Sequence, residues 1–244
     1  MLALPAADGK LDAKQVQGFI EQYYATSPIK EHIVQPGMVY VSQPTELGTA
    51  YSQAELAALS QVCRRHGLPL FVDGARLGYA LHPEVSDLTL PALAELADVF
   101  YIGGTKCGAL FGEAVVITNP ALQPHFRATI KQHGGLLAKG RLLGIQFDTL
   151  FTDNLYQTIC RSAITYARRI RQAFEGRGIA FCGASATNQQ FPILPEAQAA
   201  CFTREFGFAA YWPAENGRQI VRYCTSWATT ESDVDTLLHT VQHL

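Results

Sequence analysis

Two charged residues, Asp73 and Lys106, each follow an apolar stretch that is typical of a buried strand. Asp73 comes directly after residues 70–72, and Lys106 comes shortly after residues 99–102. The interval between them is about the length of one βαβ unit. Because neighbouring parallel strands lie roughly 4.8 Å apart, we expect the carboxylate and the amine to face each other across a gap the size of one aromatic ring.

That arrangement suits pyridoxal phosphate. A lysine binds this cofactor covalently at one end of its ring, and an acid keeps the ring nitrogen protonated at the other end. A protonated ring stabilises a substrate carbanion better than a neutral ring does. The pair Asp73 and Lys106 therefore predicts a pyridoxal-phosphate site at the carboxyl ends of two adjacent strands, where ligands bind in such sheets.

The turn that carries Lys106 is rich in glycine. Gly103, Gly104 and Gly108 leave the backbone uncovered, so that a cofactor can approach closely, and Thr105 offers a hydroxyl to a phosphate. A second interpretation stays open at this level, namely a tight turn whose lysine is merely solvated. The spacing of glycine and lysine excludes a nucleotide phosphate loop of the Walker A type.

The composition is that of a globular protein with a sizeable core. The chain has 244 residues, of which 48% are hydrophobic and 16% charged, and its formal net charge is -2. There is no basic excess for nucleic acid and no apolar run long enough to span a bilayer. The N-terminus lacks the features of a signal peptide, and the six cysteines form no CxxC pair. We therefore expect reduced thiols, a cytoplasmic location, no metal site, and neither nucleic acid nor membrane as a partner.

The elements around these residues alternate between helix and strand patterns. Helix signals include an N-cap at Asp12, a capping box formed by Ser52 and Glu55, and a terminating glycine at Gly67. The alternation predicts an α/β fold with a mostly parallel sheet and helices on both faces. The predicted strands are 38–41, 70–72, 99–102 and 114–117, and the predicted helices are 12–24, 52–67 and 89–96.

The pattern changes after residue 120. Residues 121–177 carry an almost continuous helix pattern that is interrupted at Gly134 and Gly135. We predict a partial cofactor-binding domain over residues 1–150 and a smaller C-terminal α+β domain over residues 151–244. The later signals are short strands near Ile179, Phe191, Ala209 and Ile220, a helix over 196–206 and a last helix from Thr230.

Several stretches together resemble one known family, the L-threonine aldolases. They are VYVSQPTELGTAYS, FVDGARL, YIGGTKCGALFGEAVV, IKQHGGLLAKGRLLGIQF and IVRYCTSW, and they span nearly the whole chain. This family lies in the β-eliminating lyase group of fold type I pyridoxal-phosphate enzymes. The resemblance implies a homodimeric or homotetrameric lyase that cleaves β-hydroxy-α-amino acids, L-threonine or L-allo-threonine, to glycine and an aldehyde. Two alternatives stay open: a β-eliminating lyase, and an inactive, N-terminally truncated fragment of such an enzyme.

The resemblance also implies roles for single residues. Lys106 would bind the cofactor covalently, and Asp73 would face the pyridine nitrogen. Arg76 and Arg222 would hold the substrate carboxylate, a task that suits the two-point geometry of a guanidinium. From the residues alone, Arg76 could equally lie on a helix surface, and Arg222 could form a surface ion pair.

Glu46 and Lys131 are the remaining candidates. Many bacterial members have a histidine where Glu46 stands, and that histidine is a candidate base for the β-hydroxyl of the substrate. Glu46 could take this role or be a solvated loop acid. The family uses the region of Lys131 near the cofactor phosphate or a neighbouring subunit, but an exposed helix lysine is the competing interpretation.

Two elements of the family have no match in this chain. One is an early loop that holds the phosphate at a helix N-terminus, and the other is a histidine or aromatic residue that stacks on the ring. We therefore expect a chain that corresponds to the C-terminal two thirds of a threonine aldolase. Such a chain should hold four central strands of a larger sheet, bind pyridoxal phosphate weakly or not at all, and leave two strand edges unpaired.

Overall fold

A computed structural model describes residues 1–26, 29–214 and 216–243. Its first sheet has four strands that lie side by side in chain order, as expected. The first three are parallel, whereas the last is antiparallel to its neighbour, because only a short turn joins them and a parallel pairing needs a crossover. The strands are β1 (Val39–Ser42), β2 (Leu70–Asp73), β3 (Val99–Gly103) and β4 (Glu113–Ile117).

The predicted helices before this sheet's last strand are confirmed together with their caps. Asp12 Oδ1 accepts hydrogen bonds from the backbone N–H groups of Lys14 and Gln15, at 2.9 and 3.1 Å. Ser52 and Glu55 form the capping box. A short fourth helix, directly after β2, was not predicted. The helices are α1 (Ala13–Thr26), α2 (Gln53–Arg65), α3 (Leu77–Ala80) and α4 (Leu90–Leu96).

The C-terminal part contains a second sheet, which is antiparallel throughout. It consists of β5 (Gln189–Gln190), β6 (Ile193–Pro195), β7 (Ala209–Ala214) and β8 (Arg218–Cys224), with β8 pairing with each of the other three. The helices of this part are α5 (Phe126–Gln132), α6 (Arg141–Phe151), α7 (Leu155–Gly176), α8 (Glu196–Phe206) and α9 (Glu231–Gln242).

The long helix α7 contributes to two separate hydrophobic cores. Tyr156 and Cys160, in its first half, belong to the core under the first sheet. Ile170 and Phe174, in its second half, belong to the core under the second sheet. One element thus packs against both sheets, and the domain boundary at residue 150 stays a prediction.

The ends of β2 and β3 pass so close to each other that only glycine fits. A Cβ on Gly74 would lie 1.9 Å from the carbonyl oxygen of Tyr101, and a Cβ on Gly103 would lie 2.1 Å from that of Ala75. The N–H of Gly103 donates to the carbonyl of Gly74 at 2.8 Å. These two glycines therefore fix the distance between the strand ends at which Asp73 and Lys106 follow.

A buried hydroxyl from α7 ties the end of β3 to α3, the helix that follows β2. The Tyr156 oxygen accepts a hydrogen bond from the N–H of Gly78 at 3.0 Å and donates to the carbonyl of Gly103 at 3.2 Å. Tyr156 is fully buried, so water cannot replace either bond. Among the helices in the described ranges, none has the length and apolar character needed to cross a membrane.

We expect Tyr156→Phe to lower the free energy of unfolding by about 1–3 kcal/mol, because it leaves a buried N–H and a buried carbonyl without a partner. Urea denaturation measures this change. Tyr166→Phe is the matched control, since Tyr166 lies on the same helix and its hydroxyl has no hydrogen-bond partner among the described residues. Equal destabilisation of the two variants would contradict the bridging role of Tyr156.

Candidate active site

The Asp73 carboxylate lies at the carboxyl end of β2 and is held by several donors. Its Oδ1 accepts the N–H of Ala75 at 3.0 Å, and its Oδ2 accepts the hydroxyl of Tyr40. Burial acts to raise the pKa of this carboxyl. Hydrogen bonds from Tyr101, Tyr40 and the Ala75 N–H, and the charge of Lys106, outweigh burial and lower the pKa below its ordinary value. Asp73 is therefore ionised at neutral pH.

Lys106 lies in a single 3₁₀ turn, Thr105–Cys107, that follows β3. The backbone is fixed on both sides of its side chain. Tyr79 donates its hydroxyl to the Lys106 carbonyl, and the Trp227 indole donates to the Thr105 carbonyl at 3.1 Å. The lysine side chain is exposed and forms no ion pair within the described part of the chain. Its amine therefore lies near Asp73 and is not engaged in a salt bridge.

Arg76 and Glu46, which were predicted to have separate roles, form an ion pair. The Arg76 Nη1 and the Glu46 Oε1 are 2.8 Å apart. The arginine side chain is 13% exposed and the glutamate side chain 63% exposed. The guanidinium is therefore anchored inside the site, while the carboxylate faces its opening.

Arg222 reaches the same region from β8 of the second sheet. Its Nη1 donates to Gln189 Oε1 at 3.4 Å, and its guanidinium carbon lies 5.5 Å from the ring centre of Tyr211. Its Nε is buried and has no hydrogen-bond partner in the described residues. Gln189 in turn donates to the backbone carbonyl of Glu46 at 3.4 Å. One glutamine thus links the two predicted carboxylate-binding arginines.

Four of the predicted charged residues affect the pKa of the Cys224 thiol. Loss of hydration raises its pKa, the cations Arg222, Arg76 and Lys106 act to lower it, and Glu46 acts to raise it. Groups from both sheets therefore lie within electrostatic range of one point. The structure brings together five of the seven predicted site residues around this point and Asp73.

The other two predicted residues, Thr105 and Lys131, are both exposed. Thr105 is exposed beside Lys106, in the same turn. Lys131 is exposed in the last turn of α5, where it has no ion-pair partner among the described residues. The role of each toward a phosphate stays a prediction.

The sequence interpretation missed four residues that contact the predicted ones: Tyr40, Tyr101, Gln189 and Trp227. Tyr40 and Tyr101 were counted only as apolar strand residues. The signal that could have identified them is register, since β1 and β3 flank Asp73 on either side. No local signal marks Gln189 or Trp227, because Gln189 reaches Glu46 and Trp227 reaches Thr105 across more than 100 positions of the chain.

These side chains fit pyridoxal phosphate and an amino acid substrate. An ionised carboxylate and an unpaired amine at adjacent strand ends match the two ends of the cofactor ring. The unpartnered Nε of Arg222 is a buried donor that a substrate carboxylate would satisfy. Fold and site together define a member of the fold type I pyridoxal-phosphate enzymes.

The family can be stated more closely. Residues 2–199 match the model of the beta-eliminating lyases, and the chain belongs to this family. The solved structure of threonine aldolase from Leishmania major is 42% identical and has a TM-score of 0.93, with 99% of this chain and 69% of that chain covered.

Two curated low-specificity L-threonine aldolases are also similar. The enzyme of a Pseudomonas species is 37% identical over 128 residues, and that of Pseudomonas aeruginosa is 34% identical over 144 residues. The alignments cover 51% and 58% of this chain. They cover only 36% and 41% of the two relatives, so the chain spans less than half the length of these proteins.

We expect the stability of the protein to depend on pH through Asp73. Its pKa is lower in the folded than in the unfolded chain, so the unfolded chain binds more protons between the two values. The stabilisation is therefore present above the ordinary pKa of 3.8 and is lost as the pH falls through the folded value. Urea midpoints at pH 6 and at about pH 3 should differ less in Asp73→Asn than in the unaltered protein. Asp148→Asn, at an exposed position, is the control, and a similar effect of both variants would contradict the assignment.

Proposed function

We propose that this protein is a pyridoxal-phosphate-dependent aldolase that cleaves β-hydroxy-α-amino acids, L-threonine or L-allo-threonine, to glycine and an aldehyde. The observation that carries the proposal is the convergence of Asp73 and Lys106 with Arg76, which follows β2, and Arg222, which lies on β8. The matched relatives are themselves called threonine aldolases, which supports the same reaction here.

The cofactor would be held by residues of three segments. Lys106 would bind it covalently, Asp73 would accept the ring N–H, and Thr105 and Lys131 would contribute donors to the phosphate. When bound, the cofactor supplies an electron sink for the electron pair that remains on Cα after bond cleavage. The ionised state of Asp73 matters here, because only a carboxylate attracts a protonated ring nitrogen.

The two arginines would bind and orient the substrate carboxylate. Arg222 has a buried Nε that is free for this purpose, and a guanidinium can grip a carboxylate through two parallel hydrogen bonds. Arg76 uses Nη1 for Glu46, and its remaining N–H groups would be available to the substrate carboxylate. With its carboxylate held by both arginines, the substrate would direct its side chain away from them.

Glu46 would take the proton of the β-hydroxyl. Its Oε1 is engaged by Arg76, whereas Oε2 has no hydrogen-bond partner among the described residues. A free carboxylate oxygen within reach of the substrate satisfies the geometric requirement for a general base. The ion pair with Arg76 would fix the orientation of this carboxylate, whose side chain is 63% exposed.

A second candidate function is β-elimination, which the name of the matched family favours. It would use Lys106, Asp73 and the arginines in the same way but would expel the β-hydroxyl as water, so that hydrolysis releases a 2-oxo acid and ammonia in place of glycine and an aldehyde. Incubation with L-threonine separates the two functions: acetaldehyde and glycine support the aldolase, and ammonia supports the elimination. The absence of any turnover by a protein that binds the cofactor would support the third possibility, an inactive fragment.

We further propose a homo-oligomer, a dimer or tetramer, located in the cytoplasm. Exposed apolar side chains support self-association, because isolated soluble monomers rarely expose large apolar patches. Sedimentation velocity of the purified chain tests the assembly state, and a concentration-independent monomer would contradict it. The exposed side chains are Leu110, Phe111, Leu136, Leu137, Leu142 and Ile145.

We expect Lys106→Ala to abolish covalent attachment of pyridoxal phosphate and cleavage of threonine. Borohydride reduction followed by peptide mass mapping should find the cofactor on Lys106 of the unaltered protein. Lys14→Ala is the matched control, because it removes an exposed lysine of α1 and should keep the label. Threonine cleavage by Lys106→Ala, or a label on another lysine, would contradict the assignment.

We expect Arg222→Lys to raise the KM for threonine about tenfold to a hundredfold, since an ammonium keeps the charge but loses the two-point grip worth roughly 1.5 to 3 kcal/mol. Steady-state kinetics measure this change. Arg204→Lys serves as the control, because Arg204 is an exposed residue of α8 that pairs with its neighbour Glu205. An unchanged KM in Arg222→Lys would place substrate binding elsewhere.

A further inference from the structure

Asp73 is flanked by a tyrosine on each neighbouring strand. In the parallel register of β1 and β2, Ser42 lies opposite Asp73, and Tyr40 lies two residues earlier on the same face. The register of β2 and β3 pairs Val72 with Phe100, and one further step brings Tyr101 beside Asp73. Both phenols thus belong to the face of the sheet on which the carboxylate lies.

The two phenol rings are held by a third aromatic ring. Tyr40 stacks on Phe71, with ring centres 5.3 Å apart and an interplanar angle of 14°. Tyr101 meets Phe71 edge to face, with ring centres 6.2 Å apart. Contacts of this kind stabilise particular ring orientations. Phe71 is two residues before Asp73 on the same strand, so one strand carries both the carboxylate and the ring that orients its donors.

The hydroxyl of each tyrosine interacts with the carboxylate. Tyr40 donates to Oδ2 of Asp73, and Tyr101 forms a further hydrogen bond to the same carboxylate. Burial and the hydrogen bond to Asp73 raise the pKa of Tyr40 to about 12, and the same causes raise the pKa of Tyr101. Both phenols therefore stay protonated near neutral pH and act as donors.

The carboxylate still has room for one more donor. An ionised aspartate offers about four lone-pair directions, and three are occupied by Tyr40, Tyr101 and the N–H of Ala75. The charged and titratable groups that face Asp73 are Tyr40 from β1, Tyr101 from β3, Lys106 from the turn after β3, and Glu113 from β4. Among these, only Lys106 is a cation.

We propose that Tyr40 and Tyr101 are positioning residues that hold the Asp73 carboxylate ionised and oriented, with its remaining acceptor direction facing the Lys106 turn. The ligand that this direction would take is a protonated heteroaromatic N–H, and this part rests on the proposed function. By sharing the negative charge, the two phenols also weaken the basicity of Asp73.

The test removes the hydroxyls and keeps the rings. Tyr40→Phe, Tyr101→Phe and the double variant preserve the packing on Phe71. The pKa of Asp73 is measured in the cofactor-free protein by carbon NMR of labelled aspartate, with Asp73→Asn identifying the resonance. We expect each single variant to raise this pKa and the double variant to raise it further, because each hydroxyl stabilises the charged form.

Tyr23→Phe is the matched control, since the Tyr23 hydroxyl donates to the Val34 carbonyl away from Asp73. An unchanged Asp73 pKa in both single variants and in the double variant would overturn the proposal, as would an equal change in Tyr23→Phe. This measurement is independent of activity and cofactor, and a merely structural role of the tyrosines would not produce an additive change.

A second measurement tests the ligand. Titration with pyridoxal phosphate should show roughly tenfold weaker binding in the double variant, the equivalent of about one lost hydrogen bond, while borohydride still labels Lys106. If the double variant binds pyridoxal phosphate as tightly as the unaltered protein, the proposal that the two tyrosines position Asp73 for this ligand is wrong. Failure of the unaltered protein to bind the cofactor would refute the proposed function instead, and the Asp73 pKa would still decide whether the tyrosines hold the carboxylate.

Discussion

The site depends on the close approach of two backbone segments at the ends of β2 and β3. Gly74 and Gly103 allow the strand ends to approach to a distance that excludes any Cβ. The residue before one glycine is Asp73, and the turn after the other carries Lys106. The two chemical groups therefore owe their proximity to backbone sterics. Tyr156 of α7 reinforces this arrangement, because its hydroxyl bonds to Gly103 at the end of β3 and to Gly78 of α3, the helix that follows β2.

Much of the fold could be predicted from the sequence, because local physics determines those features. Asp12, Ser52 and Thr89 cap their helices with their own side chains, and such caps depend on residues at most three positions away. Asp73 and Lys106 could be predicted as site candidates for a related reason. Each lies at or just beyond the end of a strand that its own apolar pattern reveals, and parallel strands place such residues at one edge of the sheet.

The rest depends on partners that are distant in the chain. The pairing of Arg76 with Glu46 joins residues 30 positions apart, and Gln189 joins Glu46 across 143 positions. Neither contact has a periodicity or a motif. The grouping of Tyr40, Phe71 and Tyr101 follows from register, which depends on the pairing of whole strands. The composition of the chain and the spacing of its residues do not predict that pairing.

The site takes its acids and bases from one sheet and its second arginine from the other, so its geometry depends on how the two sheets are joined. Helix α7 lies in both cores. At one end its Tyr156 bonds to the turn after β3, and further along its backbone accepts hydrogen bonds from Tyr223 and Thr225 near the end of β8. The indole of Trp227 adds a direct connection, because it donates a hydrogen bond to the Thr105 carbonyl in the turn that carries Lys106. Lys106 and Arg222 are thus held at a common cleft by one continuous helix and one side-chain bond, and a displacement of α7 would move both cationic groups relative to Asp73.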